Sequence, residues 1–330
     1  MRQNKLIVTA SPHARSKITV SNIMLDVIIA LVPALVASVV IFGFRALAVV
    51  ATTVGSAVLA EYVTRKILKR SNTISDLSAV VTGLILAFNL PVGIPLWIAA
   101  IGSIFAIVVV KQFFGGIGEN FVNPAIAARI VLMVSFPTAM AQWVKPLAWK
   151  AGEAVTAATP LAIINNKTGE ALPSLMDMLL GVRGGCLGET CAIALLAGGI
   201  YLMIKKVISP AIPLSFIGTV AVFMLIAGKG DLNFLAYELL GGGLMLGAFF
   251  MATDYTTSPI NTKGRIIFGI GCGLITSIIR VFGSLPEGVS FSIILMNILV
   301  PHIENMCIPK PFGTVKEKKA KKEKKEAQKA

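Results

Sequence analysis

Ten apolar stretches of about 15–20 residues punctuate this chain, and a run of about 20 is what an α-helix needs to cross a hydrocarbon core. In such a core no water satisfies backbone N–H and C=O groups, which leaves only helices or a closed barrel. Polarity nowhere alternates with period two along these stretches, so they read as helices. Composition agrees: of 330 residues 55% are hydrophobic and 14% charged, and the mean hydropathy is +0.82. An average chain carries about 25% charged residues. The sequence therefore predicts an all-α polytopic membrane protein.

The expected spans are about 24–43, 46–63, 77–91, 94–112, 123–138, 188–204, 210–228, 235–253, 264–283 and 288–306. The third and fifth are short and read as broken or re-entrant elements. Positive charge orients the set, because cytoplasmic connections are enriched in Lys and Arg. With the N-terminus inside, Arg65, Lys66, Lys69, Arg70, Lys111, Lys205, Lys206, Lys263 and Arg265 all fall inside. The outer connections are lean: Arg45, an uncharged Pro91–Pro95, Lys229 balanced by Asp231, and Glu287. Ten spans return the C-terminus inside, where Lys316 to Lys329 holds eight lysines against three glutamates. Residues 1–20 thus form a cytoplasmic N-terminus, without the early apolar core of a cleavable signal peptide. Residues 21–310 form the membrane domain, and 311–330 a basic cytoplasmic tail of disordered composition. The long connection of about 139–187 falls outside although it carries Lys145, Lys150, Lys167 and Arg183; long loops follow the charge rule less strictly.

Two pairs of segments look alike. Thr82-Gly-Leu-Ile-Leu-Ala-Phe88 matches Gly242-Gly-Leu-Met-Leu-Gly-Ala-Phe249, and Phe114-Gly-Gly matches Phe282-Gly-Ser. Five spans per half would give halves of opposite orientation, the inverted 5+5 repeat of many transport folds, with sites at broken helices. A shared bias toward Gly, Leu and Phe is the competing explanation.

The formal net charge of +14 invites a nucleic-acid reading, which the lysine tail does not support. It has no interleaved aromatic residues, and basic runs beside a span mark topology or anionic lipid. Cys186, Cys191, Cys272 and Cys307 form no CxxC pair, and His13 and His302 are isolated. No metal site is expected from this chain alone, although a cysteine of another subunit could complete one. Charged groups within spans default to function; Asp26, Glu61, Arg129, Glu238 and Arg280 are of this kind, some to be paired and others to snorkel.

The long connection contains Glu153-Ala-Val-Thr156-Ala-Ala-Thr159-Pro160. Bare, this is a small-residue turn presenting one hydroxyl. It also resembles the acceptor site of flavinyl transferases: an acid, two residues, Ser or Thr, one residue, then Ala-Thr. In that pattern the last threonine takes the phosphate of FMN as a phosphodiester, and small neighbours let the transferase approach. Over about residues 20–310 the chain is similar to the D subunit of the Rnf ferredoxin:NAD⁺ oxidoreductase. That protein is a sister of the B subunit of the sodium-pumping NADH:quinone oxidoreductase. The resemblance implies FMN carried covalently on Thr159, in a bacterial inner-membrane complex that couples electron transfer to Na⁺ or H⁺ movement. It implies flavoprotein and iron–sulfur partner subunits that bind NAD and ferredoxin, and a flavinyl transferase acting outside the cytoplasm. One departure is Glu153, where the family usually has Asp; the carboxylate is kept but shifted by one methylene.

Two further stretches gain a reading from this resemblance. Arg183-Gly184-Gly185-Cys186-Leu187-Gly188-Glu189-Thr190 precedes the sixth span, on the expected side of Thr159. Its glycines admit close backbone approach, and N–H groups at a helix start attract phosphate. It is either a Gly-rich packing turn or, as the family's own Gly-Glu-Thr favours, a flavin contact with Arg183 as phosphodiester counter-charge. At the opposite face, Asn120 and Asn123 precede the fifth span. Asn123-Pro124 is an ordinary helix start, which leaves Asn120 unaccounted for. The related oxidoreductase subunit holds a non-covalent riboflavin around matching asparagines, which implies a second flavin here, closed by Asp254 of Met251-Ala-Thr-Asp-Tyr-Thr-Thr-Ser-Pro259. The rival readings are a small-solute channel or secondary transporter, and a scaffold subunit without cofactor.

Overall fold

The structure, a computed structural model, describes residues 18–151, 158–166, 172–283 and 287–309. The N-terminal segment, Glu153 and Thr156 of the acceptor motif, Lys167 and the lysine tail lie outside the described residues.

In chain order the bundle consists of α1 (Val20–Phe42), α2 (Phe44–Ile67), α3 (Ser78–Phe88), α4 (Leu96–Gln112), α5 (Pro124–Ser135), the short α6 (Pro160–Asn166), α7 (Ala192–Ile204), α8 (Ala211–Ala227), α9 (Leu232–Leu240), α10 (Leu244–Met251), α11 (Thr262–Phe282) and α12 (Val289–Cys307). All ten expected stretches are helical, and no strand occurs among the described residues. The protein is a multi-pass membrane protein with both long and short apolar helices. Four helices, α1, α2, α11 and α12, are long and apolar enough to cross, and α9 with α10 makes a fifth only as a pair bent by 60°. The other five apolar helices have 11–17 residues, about 17–26 Å at 1.5 Å per residue.

The breaks have local causes. Beyond α3 stand Asn89, Leu90 and Pro91, and beyond α5 stand Phe136 and Pro137; proline offers no N–H to a continuing helix. The expected sixth span begins late, at Ala192, because residues 183–191 stay non-helical. Polar side chains cap several starts: Thr19 accepts from the Asn22 N–H, Asp231 from Asn233, and Asn123, the cap read from the sequence, from Ala125 and Ile126.

Between lipid-bathed helices close approach of backbones supplies much of the adhesion. Gly269 and Gly273 of α11 face Ser215 and Thr219 of α8 with no room for a methyl group. Gly83 of α3 sits on the Val54 backbone of α2, and Gly198 of α7 on the Ala30 carbonyl of α1. In this way α2 gathers α3 and α4, and α11 gathers α8 and α12, while α1 against α7 and α5 against α12 join the two sets.

Candidate functional site

The glycine-rich segment 183–190 is buried against the end of α3. Leu187 N–H donates to Leu90 O and Gly188 N–H to Phe88 O, both at 3.0 Å, and the Cys186 thiol lies 3.3 Å from Asn89 O. A Cβ on Gly188 would overlap the Phe88 side chain. These N–H groups therefore satisfy helix-end carbonyls instead of standing free for phosphate. Arg183 likewise turns inward: Nη2 donates to Glu189 O at 2.6 Å and Nε to Thr190 O at 3.4 Å. These bonds clamp Arg183 onto its own loop. Glu189 accepts from Cys186 N–H at 3.1 Å, with Gly185 pressed against its carboxylate, and the Thr190 hydroxyl lies 3.5 Å from Leu187 O. Gly184 is buried beside them.

Next to this loop Arg129 joins three elements. Its Nη1 donates to Asn89 Oδ1 at 2.6 Å, and its Nη2 to the Glu287 carboxylate and to Cys186 Sγ at 3.6 Å. Ligand atoms of Cys186, Glu189 and Glu287 lie within 4.8 Å of one another, a grouping that spacing in the chain could not reveal because Glu287 comes from a distant connection. The Arg129 guanidinium already supplies the positive charge in that cluster. Sequence reasoning placed Glu287 in an outer turn and missed its inward reach.

Thr159 caps α6: its hydroxyl accepts from Ala162 N–H at 3.3 Å, and the residue is only 6% exposed. Leu161 is buried against Gly241 and Gly242 in the bend between α9 and α10, 3.0 and 2.9 Å from where their Cβ atoms would stand. Gly242 has φ +60° and abuts Arg280 Nη2 and Glu287 Cγ. The acceptor threonine is thus seated through Leu161 on the helix bend.

Asn120, Asn123 and Asp254 line a cavity. Asn120 Nδ2 donates to Val122 O at 3.0 Å, and its Oδ1 accepts from the Thr256 hydroxyl at 3.3 Å. Asn123 Oδ1 accepts both α5 N–H groups at 3.0 and 3.3 Å, while its Nδ2 donates to Met251 O at 3.2 Å. Asp254 accepts from Thr257 at 3.1 Å and from Thr256, and the Asn120 amide faces it. Burial pushes the Asp254 carboxyl above the ordinary aspartate range, against the pull of these hydrogen bonds. The cavity encloses about 800 Å³ of empty space including its mouth and is walled by Ile23, Val27, Val81, Ile85, Phe249 and Phe250 among others. Its apolar walls with a few convergent polar groups have the make-up of a small-molecule pocket.

The start of α5 also meets α12 beside this cavity. With the Asn297 amide turned to satisfy both its ends, its oxygen accepts from Asn123 N–H at 3.2 Å and its nitrogen donates to Thr257 O at 3.0 Å. Asn297 is in the middle of the 19-residue α12. Only α10, about 12 Å long at 1.5 Å per residue, separates Met251 at this level from Gly243 beside Arg129 and Glu189.

The charged residues noted within spans are paired. Glu61 meets Lys111 at 2.8 Å, Glu238 meets Arg280 at 3.1 Å, Arg129 meets Glu287, and Asp26 accepts from Tyr201 at 2.8 Å with Lys205 at 3.8 Å. Asn89 lacked any signal beyond being polar in an apolar surrounding, and Lys111 read only as a positive charge of an inner connection.

Comparison with known proteins gives a consistent result. Residues 7–313 match the NQR2, RnfD, RnfE family. The chain is 48% identical to the D subunit of the Na⁺-translocating ferredoxin:NAD⁺ oxidoreductase complex of Acetobacterium woodii, over 97% of this chain and 99% of that protein. It is 43% identical to the proton-translocating counterpart of Clostridium ljungdahlii, over 95% and 98%. Identity to the D subunit of the ion-translocating oxidoreductase complex of Escherichia coli K12 is 33%, over 93% and 98%.

Proposed function

The chain belongs to the NQR2, RnfD, RnfE family, and from that premise we propose that it is the D subunit of a Rnf-type ion-translocating ferredoxin:NAD⁺ oxidoreductase. The observation that carries this reading is near full-length similarity to two such subunits, one named for Na⁺ and one for H⁺. Flavoprotein and iron–sulfur subunits would bind NAD and ferredoxin, and this chain would carry electrons between them and the ion-moving machinery.

In this reading Thr159 holds FMN as a phosphothreonyl ester, and a non-covalent riboflavin occupies the Asn120 cavity. The isoalloxazine ring, when bound, supplies one- and two-electron redox chemistry, and the protein sets its position and electrostatics. The donor set fits a flavin at the second site. An asparagine amide offers two donors and two lone pairs. Among the described residues Asn120 Oδ1 accepts one hydrogen bond while its amide donates to Val122 O and faces Asp254, whereas Asn123 Oδ1 accepts two and its amide donates to Met251 O. Asn120 is accordingly the residue for the ring's carbonyl and imide edge. Asn123 fixes the start of α5, and Asp254 with its threonines closes the wall. The apolar side chains of Phe249, Phe250 and Ile85 line the same cavity and would shield a bound ring from water.

The two sites stand at the two ends of α10, a helix broken from α9, which supports the inverted 5+5 arrangement. The segments Thr82–Phe88 and Gly242–Phe249 correspond to α3 and α10, and both adjoin the cavity. Both termini would be cytoplasmic and Thr159 outside.

The test is in-gel flavin fluorescence of the chain expressed with its cognate transferase. Thr159→Ala should abolish the fluorescent band, and Thr156→Ala should leave part of it. A fluorescent Thr159→Ala band overturns the acceptor assignment. A phosphatase fusion after Asn166 should be active and one after Lys316 inactive; the reverse pattern overturns the topology.

A further inference from the structure

One charged group on the wall of the Asn120 cavity has no part in that reading. Lys111 lines the same cavity and is 3% exposed. Its ammonium donates to the Glu61 carboxylate at 2.8 Å and lies 2.6 Å from Ser78 Oγ. Glu61, itself fully buried, also accepts from the Thr73 hydroxyl at 2.6 Å. An ammonium has three N–H donors, and the third has no hydrogen-bond partner among the described residues.

The backbone is built to bring this group there. Residues Ala106–Gln112 are π-helical, with Phe113 N–H reaching Val108 O five residues back at 3.0 Å. Gly247–Met251 on the other side of the cavity is π-helical as well, with Ala252 N–H reaching Gly247 O at 2.8 Å. A π turn inserts a residue into a helix and recurs at functional sites. Here one such turn carries Lys111 to the cavity and the other carries Phe249 and Phe250. A buried lysine–glutamate pair is expensive to desolvate, and apolar residues of the same volume would hold α2 and α4 together at least as well. A cation kept on a cavity wall with a donor in reserve calls for an electron-rich ligand atom.

We propose that Lys111 is a cofactor-contacting residue that sets the electron affinity of the flavin in the Asn120 cavity, with Glu61 and Ser78 fixing its ammonium. The proposal rests on the second-flavin reading above. Uptake of two electrons and one proton leaves the ring with one net negative charge at its N1–C2 carbonyl edge. A cation within hydrogen-bond reach favours that charged form, and the Glu61 carboxylate behind it tempers the effect.

The experiment is an anaerobic dithionite titration of the purified whole complex with dye mediators. It follows the flavin component that is lost in Asn120→Ala. At the poise where the wild type is half reduced, Lys111→Gln should lower the reduced-to-oxidised ratio about tenfold, equivalent to ~30 mV for a two-electron couple. Glu61→Gln should move the ratio the opposite way, and Lys111→Arg should stay near wild type. A purely structural role would not give shifts of opposite sign. Unchanged midpoints in Lys111→Gln and Glu61→Gln, with flavin content retained, overturn the role of Lys111 alone. If Asn120→Ala loses no flavin component, the second-flavin reading fails and this proposal fails with it. If Lys111→Gln does not accumulate, the sign of the Glu61→Gln shift against Lys111→Arg decides the matter.

Discussion

Arg280 Nη1 reaches Glu238 twice across the bend between α9 and α10, at 2.6 Å to its backbone carbonyl and at 3.1 Å to its carboxylate. The second nitrogen, Nη2, donates to Gly241 O at 3.2 Å. A bend leaves the last carbonyls of one helix without N–H partners, and here a buried guanidinium from α11 supplies them. Arg280 therefore does more for the fold than its ion pair suggests. Arg280→Gln should destabilise the protein by about 3–5 kcal/mol, since it leaves a buried carboxylate unpaired together with orphaned carbonyls. Glu238→Gln keeps the carbonyl contacts and should cost less. Thermal unfolding in detergent would rank the two, and an equal or inverted ranking would show that the ion pair alone matters.

Gly188 has a role that only its missing side chain can fill. An alanine methyl there would collide with Phe88 and lift the 183–190 loop from the end of α3. Cys186, fully buried under that loop, should then react with maleimide in Gly188→Ala and stay protected in wild type. Overpacking of this kind costs about 1–3 kcal/mol, so the protein should still fold. Phe88→Ala should restore protection in the double variant; protection in Gly188→Ala by itself would mean that the loop yields without opening.

The hydrophobic runs made the apolar helices visible in the sequence, because a hydrocarbon solvent tolerates little else, whereas the short α6 in the 139–187 connection had no such signal. Their lengths were less visible, since apolar residues such as Leu90 and Val92 continue past the end of α3 and are buried as loop. The loop is tolerated because Leu187 and Gly188 satisfy its carbonyls, a long-range pairing with no local signature. Asn123 could be read as a cap from the proline that follows it. Its second bond, to Met251 O, could not. The charge on Glu61 was conspicuous, but its partner Lys111 read as a topological marker at a helix end until the π turn drew it inward. Arg183 had a reading only as an anion contact in a glycine loop, and its bonds to Glu189 O and Thr190 O had no signal in the sequence.

The two asparagines of the cavity should separate under mutation. Asn123→Ala removes the α5 cap and should lower stability by about 0.5–2 kcal/mol, whatever the cavity holds. Asn120→Ala removes only the contacts to Val122, Thr256 and Asp254. It should leave the melting temperature close to wild type while losing the non-covalent flavin. One or two ligand hydrogen bonds at about 1–3 kcal/mol each correspond to roughly tenfold to a hundredfold in affinity. Flavin analysis and thermal unfolding on the same samples check this. Loss of flavin in Asn123→Ala alone would place the ring against α5 and leave Asn120 as a loop residue.

Thr159 presents a conflict between chemistry and packing that makes its own prediction. A transferase must bring a bulky flavin nucleotide to the hydroxyl, yet the residue is 6% exposed and already caps α6. Two residues on, Leu161 is 1% exposed and seated on the glycines of the α9–α10 bend. Attachment should therefore take place before Leu161 seats, or during an excursion that unseats it. Purified apo protein should be a poor substrate for added transferase and FAD, compared with the same chain flavinylated during expression. Leu161→Ala removes the anchor, and truncating a buried leucine costs about 2–5 kcal/mol. Part of that cost falls on the docked state of α6, so labelling of the folded apo variant should speed up at least tenfold. The time course of gel fluorescence after transferase addition measures it. Equal rates for wild type and Leu161→Ala would mean that the hydroxyl is reached without undocking, by movement of the chain before Thr159 alone.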